Sequence, residues 1–570
     1  MKDLVLVAIN AKYIHTNLGV RSLKAQLPNF DVEIVEMSIN DPFHRIVKLL
    51  LDQNTRRIGF SCYIWNMEMV VKLAEVIKKA KPQVEIIFGG PEVSFDGVAL
   101  LKAYLFCDRI IQGEGEAKLK ALLESGNYHE GLNKIPGLCY RSSAGQVVEN
   151  PDTEAVPLSQ LVFPYSNVDM ASLKHKIIYY ETMRGCPFCC SYCLSSAKQG
   201  LNLLGLNRVF AELDFFIAVG VKQVKLVDRT FNCDVGRAKR IFAHLIKRGG
   251  PTNFHFEMTG DLIDDEMINL LKTAPSGLIQ FEIGVQSTAP ETLAAIGRKI
   301  SVTRTGDHVK KLLMPQNIHI HLDLIAGLPF ENYDSFKESF NHVIALAPGM
   351  LQVGFLKCLK GTRIRSEALI HQYQYASFPP YEIISNKYIS AEELYQLRQI
   401  EVLVDRYYNS GDFKQSMNYI FADKIFLTPF DFFEAFSCHW EDQGYYDVGK
   451  SKEQLFAILH EFFRDHKKVD QIGECLRYDW LTQGNFRMPM GMCDQTPDKE
   501  WIFEFLKEPQ NIEKYLSDFI DQAPKKIYTQ VKFQYFSAAF LSRLSGAPLS
   551  TAEQTGLVVF SATGSHIVVE

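Results

Sequence analysis

Four cysteines fall within eight residues, Cys186-Pro187-Phe188-Cys189-Cys190-Ser191-Tyr192-Cys193, directly after a strand-like run that ends Met183-Arg184-Gly185. Thiols crowded on one short loop point to a metal cluster, so the fold has to present the end of that strand at a site. Two overlapping Cys-x2-Cys pairs are compatible with tetrahedral zinc or with redox chemistry, but structural zinc usually draws its pairs from two separated loops. Cys189 and Cys190 are neighbours, and consecutive side chains diverge in most backbone conformations. One of the two is therefore a spectator, and we take it to be Cys189. That leaves Cys186, Cys190 and Cys193, spaced Cys-x3-Cys-x2-Cys with Tyr192 before the last.

A chain of 570 residues has room for three or four domains at ~150 residues each, and its 47% hydrophobic content is ample for several cores. The net charge of −5 gives no broad positive field for nucleic acid, although a local patch is left open. The amino terminus reads as a short charged start before a strand-length apolar run, not as a signal peptide. No run of 18 apolar residues is long enough to span a membrane. The other eight cysteines are scattered, as free thiols are in a reducing compartment, so a cytoplasmic location is expected.

The first 150 residues alternate strand-length apolar runs, at residues 4–9, 32–36, 58–63, 84–88 and 109–111, with amphipathic helices. Met67, Val70, Val71, Ala74 and Ile77 mark one helical face. Strands alternating with helices predict an α/β domain with a doubly wound, parallel sheet, whose ligands sit at the carboxyl ends of the strands. Those ends carry a segment from Asn10 through His15 to Asn17, then Ser61, Tyr63, Trp65 and Asn66, then Gly89, Gly90, Glu92 and Ser94, and finally Gly113 and Glu114. Small residues there let a large planar ligand approach the backbone.

A polar bridge over residues 141–169 has the prolines and glycine of a linker or hairpin. Beyond it six strand-then-helix units follow, with strands at residues 177–183, 224–228, 254–258, 279–285, 319–325 and 351–357. A helix over residues 235–247 carries Ala238, Phe242 and Leu245 on one face. Polar residues gather at the strand ends: Asp228 on the second, Glu257 on the third, and Glu282, Gln286 and Ser287 on the fourth. Arg298 could pair with a ligand carboxylate or simply sit as a charge at a helix end. From about residue 362 the pattern becomes helical and crowded with aromatics. Residues 556–560 and 566–569 suggest a terminal β-hairpin.

The cysteine triplet with its aromatic resembles the cluster loop of the radical S-adenosylmethionine (SAM) enzymes. The six units resemble their partial (β/α)6 barrel. The resemblance implies that Cys186, Cys190 and Cys193 hold three irons of a [4Fe-4S] cluster, with the fourth left free for SAM. It also implies that the second strand end, with Asp228, meets the SAM amine, and that ribose contacts come from the third or fourth strand. Gly327-Leu328-Pro329 resembles the loop near adenine.

The Gly-Gly-Pro-Glu-Val-Ser and Gly-Glu-Gly-Glu segments resemble the cobalamin-binding domain that precedes the barrel in one subgroup, with an ordinary flavodoxin-like domain as the alternative. The Asp-x-His-x-x-Gly loop that supplies a cobalt ligand in related domains is absent. His15 is therefore expected to make a polar contact or cap its helix. Trp65 covers a cobalt face or is only a buried aromatic.

The order after residue 354 is similar to an uncharacterised C-terminal extension of bacterial cobalamin-dependent radical SAM proteins. The expected domains are a Rossmann-like cobalamin-binding domain over residues 1–150, a barrel over 151–365 and a mostly helical, aromatic-rich domain over 366–570. The expected cofactors are a [4Fe-4S] cluster, SAM and cobalamin. The expected partners are a reductant such as flavodoxin or ferredoxin and an organic substrate of unknown identity, with no membrane and with nucleic acid still possible.

The resemblance implies reductive cleavage of SAM to a 5′-deoxyadenosyl radical and methyl transfer to an unactivated carbon. A non-methylating cyclisation, rearrangement or oxidation is a second reading, and a non-catalytic corrinoid and iron-sulfur sensor a third.

Overall fold

Leu4, Leu6 and Ala8 point to one side of the first strand and Val5, Val7 and Ile9 to the other, and all six are buried in two separate apolar clusters. A strand buried on both faces needs helices on both sides of its sheet. Five parallel strands answer this in the spatial order Val32–Ser38, Leu4–Asn10, Arg57–Ser61, Glu85–Gly89 and Arg109–Ile111. Helix Met67–Ala80 covers one face with Met67, Val70, Leu73, Ala74 and Ile77. Leu73 thus takes the buried position expected for Val71, which is only half-buried.

This computed structural model describes residues 1–125, 131–152, 156–197, 200–464, 469–489, 491–546 and 555–569. The polar bridge begins inside a hairpin: strand Leu138–Arg141, which ends where the bridge starts, pairs antiparallel with Val147–Glu149 and extends the first sheet at its edge. Residues 153–155 of the bridge lie outside the described residues.

A second sheet runs through Ile178–Tyr180, Gln223–Leu226, Asn253–Met258, Ile279–Gln286, His319–Ala326 and Met350–Phe355, each strand beside the next in chain order. The first of these was expected to continue to residue 183. It stops at Tyr180 instead, and Met183–Gly185 turns away to pair antiparallel with Leu201–Leu203. The reason is chemical: the N–H groups of Thr182 and Met183 donate to the carboxylate of Asp228 and not to a neighbouring strand.

The two faces of this sheet differ in kind. Phe254, Phe256, Phe281, Ile283, Leu322 and Leu324 are buried on one side, where helix Val235–Arg248 adds Ala238, Ile241, Phe242 and Leu245. The alternate positions Lys225, His255, Glu257, Gln280, Glu282, His321 and Asp323 give the other side a polar lining.

By its contacts the chain divides into a unit of residues 1–348 and 353–394, which holds the first sheet and the second apart from residues 350–352 of its last strand, and a unit of residues 349–352 and 395–570. The second unit is mainly helical, with Tyr407, Phe413, Phe436, Trp440 and Phe456 in its core. The expected terminal hairpin, Thr555–Ser561 with His566–Val569, gains a third antiparallel strand, Val531–Ser537. No helix among the described residues is long and apolar enough to cross a membrane.

Phe256 is fully buried against Phe231, Phe242 and Phe281. Phe256→Ala is expected to lower the stability of the first unit by about 3–5 kcal/mol, read as a fall in the midpoint of its urea unfolding.

Candidate functional site

The cysteine loop leaves its strand through Gly185, whose φ of +96° is left-handed and whose Cβ would collide with the carbonyl of Gly200. Beyond that turn Cys193 N–H donates to the Cys190 carbonyl at 3.1 Å. Ser196 Oγ caps both loop carbonyls, donating to Cys190 O at 3.0 Å and to Cys193 O at 2.6 Å. These bonds coil the loop so that Cys186, Cys190 and Cys193 line one cavity of about 180 Å³. Cys189 is exposed and does not line it. Burial pushes the Cys190 thiol up, while Arg298, whose Nη1 lies 3.9 Å from the sulfur, works in the opposite direction.

Besides the cysteines the cavity is lined by Arg229, Thr230, Glu257, Thr259, Glu282, Gln286, Arg298 and Asp323. Burial raises the Glu257 carboxyl; Arg229 opposes this and Glu282 adds to it. Burial also pushes Asp323 up to about 8, with Glu282 and Glu257 acting in the same direction. Its Oδ1 is cut off from solvent without a partner. Gln286 has a positive φ of 72° at a register shift in its strand, and its buried Oε1 also lacks a partner. Arg298, read from sequence as a ligand partner or a helix-end charge, follows the end of helix Pro290–Ala295 with its N–H donating to Leu293 O at 2.9 Å, and its side chain donates from Nη2 to Gly284 O and reaches the Cys190 sulfur.

Two sequence-selected carboxylates of this region are engaged within the protein. Asp228 is 1% exposed and accepts from Thr182 N at 2.7 Å, from Met183 N at 3.1 Å and from Thr182 Oγ1. Burial pushes it up to about 7 against those bonds. Burial would raise Glu282 as well, but His255 Nε2 at 3.2 Å and Lys225 Nζ at 2.9 Å hold it down to about 2.

The strand ends of the first sheet divide in the same way. Asn10 donates to His15 O at 3.0 Å, and Asn66 donates to Ile9 O and Ser61 O, each at 2.9 Å. His15 Nδ1 meets the Tyr179 hydroxyl, while Asn17 caps the first helix. Ser94 Oγ donates to Gly90 O at 2.8 Å and accepts from Gly113 N at 3.0 Å. Glu92 accepts from the Tyr381 hydroxyl and pairs with Lys360 at 3.1 Å. Glu114 pairs with Arg184 at 2.8 Å, and that guanidinium also holds Glu116 at 2.9 Å and Glu181 at 2.8 Å.

Ser61, Tyr63 and Trp65 stay partly exposed at these ends, with Tyr63 stacked on Trp65 at a ring-centroid distance of 4.3 Å, while Gly89 O and Gly90 O accept from Cys62 N and Ser94 Oγ. Trp65 is 43% exposed with its Nε1 donating to Ile9 O. Tyr63 feels the charges of Arg229 and Glu181, and Arg229 lines the cysteine cavity. Contacts such as Ile177 N to Ile14 O, 2.7 Å, and Thr16 Oγ1 to Ile177 O, 2.8 Å, join the two sheets directly.

Sequence reading missed Asp323, Arg229 and Thr259 as cavity residues. Asp323 was legible as a polar position alternating with Leu322 and Leu324 near the end of the fifth strand of this sheet.

Residues 4–123 match the family described as B12 binding domain, residues 180–343 the radical SAM superfamily, and residues 370–560 a family of unknown function, DUF4080. The chain is 25% identical over 340 residues to the cobalamin-dependent radical SAM methyltransferase TokK of Streptomyces tokunonensis, covering 56% of this chain and 50% of that one. It is 24% identical over 303 residues to the 2-(S-pantetheinyl)-carbapenam-3-carboxylate methyltransferase of Streptantibioticus cattleyicolor, covering 50% and 44%. The chain thus spans about half the length of these curated relatives. The fold resembles OxsB, solved with aqua-cobalamin and SAM bound, at 16% identity and a TM-score of 0.58, covering 84% of this chain and 79% of that one. It also resembles TsrM from Kitasatospora setae, solved with cobalamin and a [4Fe-4S] cluster, at 18% identity and a TM-score of 0.54, covering 67% and 79%.

Arg184 joins carboxylates from both sheets at 20% exposure. A double-mutant cycle of Arg184→Ala with Glu116→Gln is expected to give a coupling of about 1–3 kcal/mol in unfolding measurements. A coupling near zero would mean that the pair contributes nothing to the joint.

Proposed function

Because the chain carries a B12-binding domain, a radical SAM domain and a DUF4080 region in that order, we propose that it is a cobalamin-dependent radical SAM enzyme that methylates an unactivated carbon of an organic substrate. The observation that carries this reading is the convergence of Cys186, Cys190 and Cys193 on one cavity that is also lined by Asp323 and Gln286, whose Oδ1 and Oε1 are buried without partners. Three thiolates suit a [4Fe-4S] cluster with one open iron, and buried acceptors without partners suit a ligand that brings its own donors.

In this reading the three cysteines hold the cluster and Cys189 stands aside. Glu257, Asp323 and Gln286 face the ammonium and ribose of SAM, and Arg298 keeps a positive charge beside Cys190. Asp228 acts indirectly, through the backbone it anchors. Ser61, Tyr63, Trp65, Gly89 and Gly90 offer a small-residue and aromatic bed to a corrin ring. His15, which lacks the Asp-x-His-x-x-Gly loop around it, is not a cobalt ligand in this reading and makes a polar contact to Tyr179 instead. When bound, the cluster supplies the electron that cleaves SAM and cobalamin carries the methyl group, while the protein orients both and excludes water. A flavodoxin- or ferredoxin-like reductant completes the cycle.

Anaerobically reconstituted protein is expected to bind about four irons and four sulfides. Cys186→Ala, Cys190→Ala and Cys193→Ala should each abolish SAM cleavage, while Cys189→Ala retains it. Full cleavage by Cys190→Ala together with its loss in Cys189→Ala would reverse the ligand assignment. A product of unchanged mass in cell extracts would refute methylation.

A second measurement addresses the corrin. The cob(II)alamin form is expected to show no nitrogen splitting from a protein histidine in its electron paramagnetic resonance spectrum. Such splitting would put a histidine on cobalt.

A further inference from the structure

Three neighbouring strands of the second sheet place His255, Glu282 and His321 side by side on its polar face. Glu282 is directly paired with His321, and His255 lies two residues before the partner of Glu282 on the third strand. One donor atom from each lies within 4.8 Å of the others. A zinc ion bound tetrahedrally at 2.0–2.2 Å from imidazole nitrogen and carboxylate oxygen holds its ligands about 3.4 Å apart. His255 Nε2 and Glu282 Oε2 already stand 3.2 Å apart.

That approach is not a well-formed hydrogen bond. The His255 side chain is only 8% exposed, and its Nε2 is buried without a hydrogen-bond partner. Distance is satisfied and direction is not, which is how two ligands of one ion stand towards each other. Gln280 Nε2 stands 2.9 Å from His321 Nε2; with the amide turned to present its oxygen, Gln280 would accept from Nε2–H, the outer contact that orients a ligating imidazole and leaves Nδ1 to face an ion. Two residues further along from His255 and His321, Glu257 and Asp323 line the cysteine cavity together with Glu282.

We propose that His255, Glu282 and His321 form a binding site for a divalent transition-metal ion, separate from the cysteine loop. Two imidazoles and one carboxylate suit Zn²⁺ or Fe²⁺, with water or a substrate oxygen in the remaining position. Lys225, 2.9 Å from Glu282, neutralises that carboxylate when no ion is present and competes with one. The site does not depend on the function proposed above, since its donors are not the cluster cysteines.

The test is zinc binding to full-length protein purified anaerobically with its cluster intact, measured by isothermal titration and by elemental analysis alongside iron and sulfide. About one zinc per chain is expected beyond the iron of the cluster. His321→Gln and Glu282→Gln should each weaken zinc at least ~10-fold while iron and sulfide stay at wild-type levels. Lys225→Met, which keeps all three donors, should bind zinc more tightly. Because this variant moves in the opposite direction, a general loss of folding cannot mimic the pattern. Absence of zinc from the wild type, equal affinity in the His321 and Glu282 variants, or no gain in Lys225→Met would overturn the site.

Discussion

The carboxylate of Asp228 accepts the N–H groups of Thr182 and Met183, and the start of the cysteine loop depends on that bond. Without it the first strand of the second sheet would run on, and the loop would emerge along the sheet instead of across its mouth. Arg237 holds the same short hairpin from its carbonyl side, donating to Leu204 O at 2.7 Å and to Thr182 O at 3.2 Å. A buried amide left without an acceptor costs about 1–3 kcal/mol. Two such amides at one turn are enough to select a single loop geometry. Gly185 then supplies the left-handed backbone that no other residue adopts without strain, and the three cysteines follow.

The polar face of the second sheet is the other constraint. Barrel interiors are ordinarily packed with branched apolar side chains, whereas here Lys225, His255, Glu257, Glu282, His321 and Asp323 occupy that face. Removing so many ionisable groups from water is costly unless they are paired or meet a ligand. Lys225 with Glu282 is such a pair, while Asp323 Oδ1 and Gln286 Oε1 remain unmatched. The apolar face, by contrast, is satisfied by its helix. Local rules are thus obeyed on one side of the same strands and broken on the other, and breaks of that kind mark functional sites.

Much of this was legible in sequence because periodicity reports burial. The parallel strands of the first sheet, the helix between the third and fourth of them, and the strands of the second sheet were all readable from apolar spacing. The cysteine loop was readable because its spacing is local. The split at Tyr180 was not, since it depends on a carboxylate 46 residues away in sequence. Nor was strand Val531–Ser537, whose alternation was masked by the aromatics around it. The position of Arg298 shows the same limit: it does follow a helix end, but only the fold shows that its side chain also reaches Cys190 and Gly284.

Glu92, Glu114 and Glu116 carry the same lesson into the relation between the two sheets. From sequence, acidic residues at strand ends read as ligand contacts. In the folded chain Glu92 meets Lys360 and Tyr381, and Glu114 and Glu116 meet Arg184. Spacing cannot announce cations that arrive from 70 and 268 residues away. The bonds of these partly buried ion pairs are charge-assisted and directional. They act on geometry as well as on stability, joining the ends of the first sheet to the strand that bears the cysteine loop. The Tyr63 and Trp65 stack is thereby kept within the electrostatic reach of Arg229, which lines the cavity.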